Sequence, residues 1–223
     1  MKWPNETDDY RRARDELLEA EVELRRQEEA VASRRRALPL GGEVTESYVF
    51  SSPDGRATFA ELFTGGKSTL YLYNFMFIPD DEGSPLGAAC PSCTSIIDEM
   101  DGAFRHLLDV VDVAIVGKAP IAQFTAWARE RGWRYAPLYS SADSTFNRDY
   151  NAESPDGAQL PIAHVFTRDN GRIHHRWSCE LFAAPNDPGL HPRHVDYMWP
   201  IWKILDLTPE GRGTDWHPRY DYD

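Results

Sequence analysis

The spacing of hydrophobic positions changes several times along the chain, and each change predicts a different element. From about Asp8 to Arg36, apolar side chains recur every seven residues in a stretch rich in Glu, Arg, Leu and Ala, which are good helix formers. The recurring positions are Tyr10, Leu17, Leu24 and Val31, with Ala13, Ala20 and Gln27 three residues further on. This pattern predicts one long helix with a narrow apolar stripe, which either packs on its own domain or serves as a dimerisation arm.

The rest of the chain alternates between two kinds of pattern. Continuous β-branched and aromatic runs predict buried strands, and apolar residues at helical spacing predict helices. In chain order we predict strand Ser47–Phe50, helix Thr58–Phe63, strand Thr69–Ile78, helix Pro91–Leu108, strand Val110–Val116, helix Pro120–Arg131, strand Tyr135–Tyr139, hairpin strands Ile162–Thr167 and Arg172–Ser178, and helix Tyr197–Leu205. This alternation predicts an α/β fold with parallel strands, to which the hairpin adds an antiparallel pair.

Composition suggests how these elements are grouped into domains. We expect a helical arm over residues 1–40, one α/β domain over residues 41–207, and an irregular tail rich in Pro, Gly and Asp over residues 208–223. Of the 223 residues, 41% are hydrophobic, so the chain can bury a sizeable core without disulfides or metals.

Charge argues against two classes of partner. The net charge of −12 repels phosphate backbones and anionic membrane surfaces, so neither nucleic acid nor a membrane is expected. No run approaches the ~20 apolar residues of a membrane span. The polar N-terminal segment lacks the apolar core of a signal peptide. Three cysteines are an odd, small number, unlike a secreted disulfide framework, and we therefore expect a cytoplasmic protein.

The motif that carries chemistry is Cys90-Pro91-Ser92-Cys93, which follows a buried strand and a loop and opens a helix. At a helix N-terminus, unpaired N–H groups and the helix dipole favour a thiolate, which lowers the pKa of Cys90. Pro91 suits the first helical position, where its missing N–H is not needed. Cys93 lies roughly one turn further on and can resolve a mixed disulfide formed by Cys90. The motif therefore predicts thiol–disulfide chemistry.

Other interpretations of the cysteines stay open. A Cys-x-x-Cys pair can be half of a zinc site, which Cys179, His164, His174 or His175 would complete, although these histidines lack ligand spacing. The pair can also be inert core residues. The acidic run at positions 80–82 would oppose thiolate formation if it lies close. We expect Cys179 itself to be a small buried side chain, with a redox role as the alternative.

Features in three places together resemble the thioredoxin superfamily: strand, loop, Cys-x-x-Cys and helix over Phe75–Cys93, Leu160-Pro161 before a strand, and the strand and turn over Phe166–Gly171. The resemblance implies a thioredoxin-like three-layer α/β/α fold with a mixed sheet. It also implies that Pro161 follows a cis peptide bond and shapes the groove beside the active-site disulfide. The implied partner is a protein or small-molecule disulfide or thiol, with neither an organic cofactor nor a metal.

Longer segments resemble a bacterial family known as domain of unknown function 899, whose members are often labelled predicted dithiol–disulfide oxidoreductases. The segments are Arg34–Pro39, Tyr73–Phe77, Ser140-Ser141 with Phe146–Tyr150, and Asp206–Gly213. Loops carry function more often than cores do. The polar-aromatic loop therefore offers Phe146, Asn147 and Asp149 as candidates for a substrate groove beside the motif; the alternative is a packed surface loop. Pro91 and Ser92 are further candidates.

Functions from different classes fit this sequence. In the first, a dithiol–disulfide oxidoreductase, Cys90 attacks and Cys93 resolves. In the second, a thiol peroxidase of the peroxiredoxin type, the hydroxyl expected three residues before the reactive cysteine is missing, because Gly87 and Cys90 hold those positions. The third is a non-catalytic thioredoxin-fold binding module, suggested by the long arm and the tryptophan-rich end. If the arm does not pack on its own domain, it offers a homodimer through the N-terminal helix.

Overall fold

The computed structural model describes residues 1–64, 66–78, 88–185, 188, 192–213 and 215–222. The chain forms two compact units, Met1–Leu40 and Gly41–Asp223. The first unit contains helix α1 (Asp8–Arg36), which confirms the predicted long helix. The hydroxyl of Thr7 caps this helix by accepting the N–H of Tyr10 at 3.2 Å. Every side chain of α1 is at least partly exposed.

The second unit is built around a seven-stranded sheet. The strands are β1 (Val49–Ser52), β2 (Gly55–Thr58), β3 (Thr69–Phe75), β4 (Phe77–Ile78), β5 (Ala88–Ala89), β6 (Asp112–Gly117), β7 (Leu138–Ser140), β8 (Ala163–Asp169) and β9 (Arg172–Ser178). The α-helices are α2 (Pro91–Val110), α3 (Ile121–Arg131), α4 (Phe146–Asp149) and α5 (Pro200–Leu205). Short 3₁₀ turns cover Phe59–Leu62, Glu180–Phe182 and Asp196–Met198. The sheet order is β2-β1-β7-β6-β3-β8-β9, and β4 pairs with β5 in a separate small sheet.

The large sheet is mixed, because β3 pairs in parallel with β6 and antiparallel with β8. Alternate side chains of a strand point to opposite faces. On one face, Tyr73 and Phe75 join a core with α2, α3 and α5. On the other face, Leu70 and Leu72 join a core with α4 and the first 3₁₀ turn. Helical layers cover both faces, so the predicted thioredoxin-like α/β/α fold is confirmed, although the second layer is thin.

Some predicted boundaries shift. The strand predicted over Thr69–Ile78 breaks after Phe75, and β4 pairs instead with β5. The turn at Ser52–Gly55 closes a hairpin, so β2 adds a strand that was not predicted. The helix predicted over Tyr197–Leu205 divides into a 3₁₀ turn and α5, because Pro200 begins a helix and cannot continue one.

The expectation of a cis peptide bond before Pro161 is wrong. All peptide bonds between described residues are trans, including the bond from Leu160 to Pro161. The trans form is the lower-energy form of such a bond by about 0.5–1 kcal/mol. Pro161 still directly precedes β8, as the sequence predicts. The carbonyl of Ile162 accepts the N–H of Asn74 at 2.8 Å, which joins the start of β8 to the end of β3.

The C-terminal part of the chain is irregular, as predicted. Its described positions from 208 to 222 contain turns and bends but neither a helix nor a strand. Across the part of the chain that the structure describes, none of the helices is both long enough and apolar enough to cross a bilayer.

Candidate active site

Helix α2 begins directly after Cys90, beyond the carboxyl end of β3. Cys90 is the N-cap residue, with an extended backbone (φ −64°, ψ 126°), and Pro91 takes the first helical position. The N–H of Cys90 donates to the carbonyl of Met76 at 3.0 Å, and its own carbonyl accepts the N–H of Thr94 at 2.9 Å. These bonds hold Cys90 between helix α2 and the residue that connects β3 to β4.

Cys90 and Cys93 are neighbouring free thiols, with exposed fractions of 5% and 1%. The hydrogen bond from Cys93 is the main reason that the pKa of Cys90 is lowered to about 7, against the opposing effect of burial. The N–H groups of Cys93 and Ser92 add to this lowering. Burial raises the pKa of Cys93 well above its ordinary value, so this thiol keeps its proton. Its S–H donates a hydrogen bond to the sulfur of Cys90. The pair therefore consists of a nucleophile and a protonated partner.

Tyr73 lies beneath this pair. Its side chain is fully buried on the face of β3 that packs against α2, and its hydroxyl donates to the sulfur of Cys93 at 3.2 Å. Burial raises the pKa of Tyr73 well above its ordinary value, so it stays a hydrogen-bond donor. A donor at this sulfur stabilises a thiolate on Cys93. Sequence reasoning missed Tyr73, although its alternation with Leu72 along β3 could have placed it on this face.

A groove of about 350 Å³ lies beside the start of α2. Its lining includes Phe77, Ala88, Ala89, Trp127, Arg131 and Tyr220. The indole N–H of Trp127 donates to the hydroxyl of Thr94 at 3.2 Å, which ties α3 to the first turn of α2. The hydroxyl of Tyr220 donates to the carbonyl of Ala89, the residue before Cys90. Sequence reasoning missed both aromatic residues, because they come from distant segments.

The structure separates the predicted groove residues into two groups. Pro91 and Ser92 are half-buried beside Cys90 in the first turn of α2. Hydrogen bonds from the N–H and hydroxyl of Ser92 help to lower the pKa of Cys90. Pro161 is half-buried before β8. Because β8 runs antiparallel to β3, Pro161 lies at the same end of the sheet as Cys90.

The remaining candidates are not brought to the cysteines. Phe146 is fully buried in the core on the other face of the sheet, with its ring 5.3 Å from that of Tyr48. Asn147 is 1% exposed, and its amide oxygen accepts the hydroxyl of Ser141 at 2.7 Å. Asp149 is exposed and accepts the hydroxyl of Tyr48 at 3.1 Å. The loop folds as a helical turn that fills this second core, so Phe146 and Asn147 do not line a groove beside Cys90.

The surroundings of the cysteines bear on a zinc site and on a structural role for Cys179. Within the described ranges, no group of three or more His, Cys, Asp or Glu side chains is placed to hold a metal ion. Cys179 is 2% exposed, its sulfur accepts the N–H of Ala163 at 3.0 Å, and burial raises its pKa. This environment fits the expected small buried side chain. The acidic run at 80–82 lies outside the described residues.

A second cavity of about 490 Å³ is lined by Cys179 and a polar cluster. The hydroxyl of Ser178 lies 2.7 Å from Nδ1 of His164 and 2.7 Å from Nε2 of His175. A serine has one hydroxyl proton, so at least one imidazole must donate an N–H to it. His164 is 1% exposed, and burial lowers its pKa to about 3, so it is neutral. Its Nε2 has no hydrogen-bond partner among the described residues.

Comparisons with known proteins give a family and several distant structural likenesses. No match is found among curated proteins. Among solved structures, the chain is similar to the peroxidoxin BcpB of Mycobacterium tuberculosis, with 15% identity over 75% of this chain and 98% of that chain and a TM-score of 0.45. It is similar to a peroxiredoxin Q of Xanthomonas campestris, with 14% identity over 73% of this chain and 98% of that chain and a TM-score of 0.45. It is also similar to the exposed lipoprotein thioredoxin Etrx1 of Streptococcus pneumoniae, with 13% identity over 70% of this chain and 99% of that chain and a TM-score of 0.42.

The family comparison covers almost the whole sequence. The family described as "Bacterial protein of unknown function (DUF899)" matches residues 2–223. The match confirms the resemblance seen in the sequence, and it spans both compact units. The chain therefore belongs to the DUF899 family of bacterial proteins.

Proposed function

We propose that the protein is a thiol–disulfide oxidoreductase that works through Cys90 and Cys93. The observation that supports this proposal is the opposed behaviour of the two thiols: the pKa of Cys90 falls to about 7, while that of Cys93 is raised by burial. The lowered pKa favours the thiolate of Cys90 near neutral pH, and the thiolate is the nucleophilic form. Cys93 is kept as a thiol within reach of the Cys90 sulfur.

The reaction proceeds by mixed-disulfide exchange. The Cys90 thiolate attacks one sulfur of a substrate disulfide; a Cys90–substrate S–S bond forms, the substrate S–S bond breaks, and the other substrate sulfur leaves as a thiolate and takes up a proton. Cys93 then loses its proton and attacks the Cys90 sulfur, which releases the second substrate thiol and leaves a Cys90–Cys93 disulfide. A dithiol or two monothiols return this disulfide to the reduced form. Run backwards, the same steps form a disulfide in the partner.

Tyr73 and the first turn of α2 stabilise the thiolates that form during the exchange reaction. The N–H groups of Ser92 and Cys93 favour the Cys90 thiolate before attack. The hydroxyl of Tyr73 donates to the Cys93 sulfur, which favours the Cys93 thiolate during resolution. Each thiolate therefore has hydrogen-bond donors at the stage when it must form.

Differential alkylation with mass spectrometry across a glutathione redox series tests this function. We expect a reversible Cys90–Cys93 disulfide, a trapped mixed disulfide in Cys93→Ser, and no exchange in Cys90→Ser. The matched control is Cys179→Ala, which should exchange as the unmodified protein does. An unreactive Cys90 with no disulfide at any potential would contradict the proposal. Oxidation of Cys90 by hydrogen peroxide that outpaces its oxidation by disulfides would favour a thiol peroxidase instead.

We also propose a cytoplasmic site of action and a homodimer formed through α1. The location is supported by the odd, small number of cysteines, which is unlike a secreted disulfide framework. The homodimer is supported by the exposed apolar stripe on α1, where Leu17 and Leu24 have exposed fractions of 52% and 58%. Fractionation of cells that produce the protein tests the location.

A further inference from the structure

The C-terminal segment 215–222 is irregular, yet it is anchored beside the dithiol. The ring of Tyr220 packs edge-on against Trp127, with ring centroids 5.1 Å apart. The carbonyl of Tyr220 accepts a hydrogen bond from Nη1 of Arg131 at 2.7 Å. Arg131 is in turn held by Asp98, whose carboxylate lies 2.6 Å from Nη2. Main chain, ring and hydroxyl of Tyr220 therefore each have a partner.

Tyr220 also contacts the residue directly before Cys90. Burial raises the pKa of Tyr220, and the negative charge of the Cys90 thiolate raises it further, while Arg131 opposes this. The phenol therefore stays protonated and donates to the carbonyl of Ala89, directly before Cys90. This bond occupies the main-chain acceptor next to the nucleophile, and the Cys90 side chain has an exposed fraction of only 5%.

A disulfide in a folded protein cannot reach Cys90 without bringing its flanking chain. Extended peptides bind by pairing with exposed main-chain N–H and C=O groups. Here the carbonyl of Ala89 already accepts a hydrogen bond from Tyr220, and Tyr220 is one of the residues that line the groove. The groove holds about 350 Å³, near the lower end of the range of about 300–1,000 Å³ for small-molecule sites. A small disulfide needs no more room than this.

We infer that Tyr220 restricts the dithiol to low-molecular-weight disulfides and excludes the disulfides of folded proteins. This inference rests on the proposed function and names its substrate class. Tyr220 acts through the main chain beside Cys90 and through its ring in the groove, so it determines specificity without taking part in the exchange itself. Removing its side chain opens the path to Cys90 for larger partners.

Single-turnover disulfide exchange tests the inference. Reduced protein is mixed with bis(2-hydroxyethyl) disulfide or with insulin, and acid-quenched samples are resolved by mass spectrometry. In Tyr220→Ala we expect exchange with insulin to rise about tenfold, the factor that corresponds to about 1.4 kcal/mol, and exchange with the small disulfide to change by less than about threefold. Tyr220→Phe, which keeps the ring, should lie between Tyr220→Ala and the unmodified protein. The control is Tyr222→Phe, in the same segment, which should match the unmodified protein.

A size-selective alkylation provides a measurement that does not depend on exchange activity. In the unmodified protein, Cys90 should react with iodoacetamide but slowly with a maleimide that carries a long poly(ethylene glycol) chain. Tyr220→Ala should remove this difference, and thermal unfolding checks that the variant is folded. The inference is overturned if the unmodified protein exchanges with insulin as fast as Tyr220→Ala does, or if both reagents label Cys90 equally in it. If Cys90 is labelled size-selectively but exchanges with neither disulfide, the proposed function fails and the restriction by Tyr220 stands.

Discussion

Cys93 controls the chemistry of Cys90 through one hydrogen bond. That bond is the largest cause of the lowered pKa of Cys90, ahead of the N–H groups of the helix. We therefore predict that Cys93→Ala raises the pKa of Cys90 from about 7 towards its ordinary value, because the donor is lost. Cys93→Ser, which keeps an O–H donor, should raise it less. The pH dependence of the iodoacetamide reaction measures both values, and equal values in the two variants would contradict this role for Cys93.

His164 makes the stability of the fold depend on pH. The pKa of this imidazole is about 3 in the folded protein because of burial and the nearby His175. In the unfolded chain it is about 6.5, so below that pH the unfolded state binds a proton that the folded state does not. The contribution of His164 to the free energy of unfolding should thus be fully present above pH ~6.5. It should fall by up to about 1.4 kcal/mol per pH unit as the pH drops towards 3.

Urea unfolding of His164→Asn at several pH values measures this contribution. We compare the slope of the unfolding free energy against pH rather than its absolute value, since the variant also changes packing. Between pH ~6.5 and ~4, the slope of the variant should correspond to about one fewer proton taken up on unfolding than in the unmodified protein. His175 contributes a remaining slope of the same sign, because burial lowers its pKa while Glu180 opposes this. An unchanged slope would show that His164 titrates normally.

Among the elements, α2 carries a carboxylate that fixes the connection between α3 and β7. The carboxylate of Asp101 accepts the N–H groups of Arg134, Tyr135 and Ala136, each at 2.9 Å. We predict that Asp101→Ala lowers the free energy of unfolding by about 2 kcal/mol, because hydrogen bonds to a charged group are lost. The control Asp109→Ala, exposed on the same helix, should change it by less than about 0.5 kcal/mol. Urea denaturation measures both, and equal costs would contradict this role for Asp101.

Elements that depend on local pattern were predictable from the sequence. Strand β9 spans the predicted Arg172–Ser178. Helix α3 ends before Gly132, whose φ of 75° favours glycine. The Cys-x-x-Cys placement at the start of α2 was predictable for the same reason, since a strand, a loop, a proline and a helix lie consecutively in the chain.

The surroundings of the cysteines were not predictable, because they depend on contacts between distant parts of the chain. Tyr73, Trp127 and Tyr220 approach the start of α2 from β3, α3 and the C-terminal segment. No local pattern distinguishes these aromatic side chains from those that only fill the core. Phe146 shows the opposite error: its polar loop suggested a groove, but the ring packs into the second core.

For the whole molecule, the charge of α1 determines how strongly two copies can associate. Tyr10, Leu17, Leu24 and Val31 occupy the first position of consecutive seven-residue repeats, which in a two-stranded coiled coil is a contact position. In this seven-residue register, glutamates occupy the positions next to the contact residues of the two central repeats: Glu16, Glu21, Glu23 and Glu28. Two copies of α1 would bring these carboxylates close together, where they repel each other. Arg14 lies 2.9 Å from Glu21 and Arg26 lies 3.4 Å from Glu23 in the same helix, which offsets only part of this repulsion.

We therefore predict that dimerisation through α1 strengthens with ionic strength. The Debye length falls from about 10 Å at 0.1 M salt to about 3 Å at 1 M, which screens the carboxylates and leaves the apolar contact unaffected. Sedimentation equilibrium of the full chain at low and high salt should show a dimer fraction that rises with salt. Leu24→Asp should remain monomeric at both, while Glu19→Ala, outside the stripe, should behave as the unmodified protein. A mass that is independent of salt and of Leu24→Asp would mean that α1 does not join two copies.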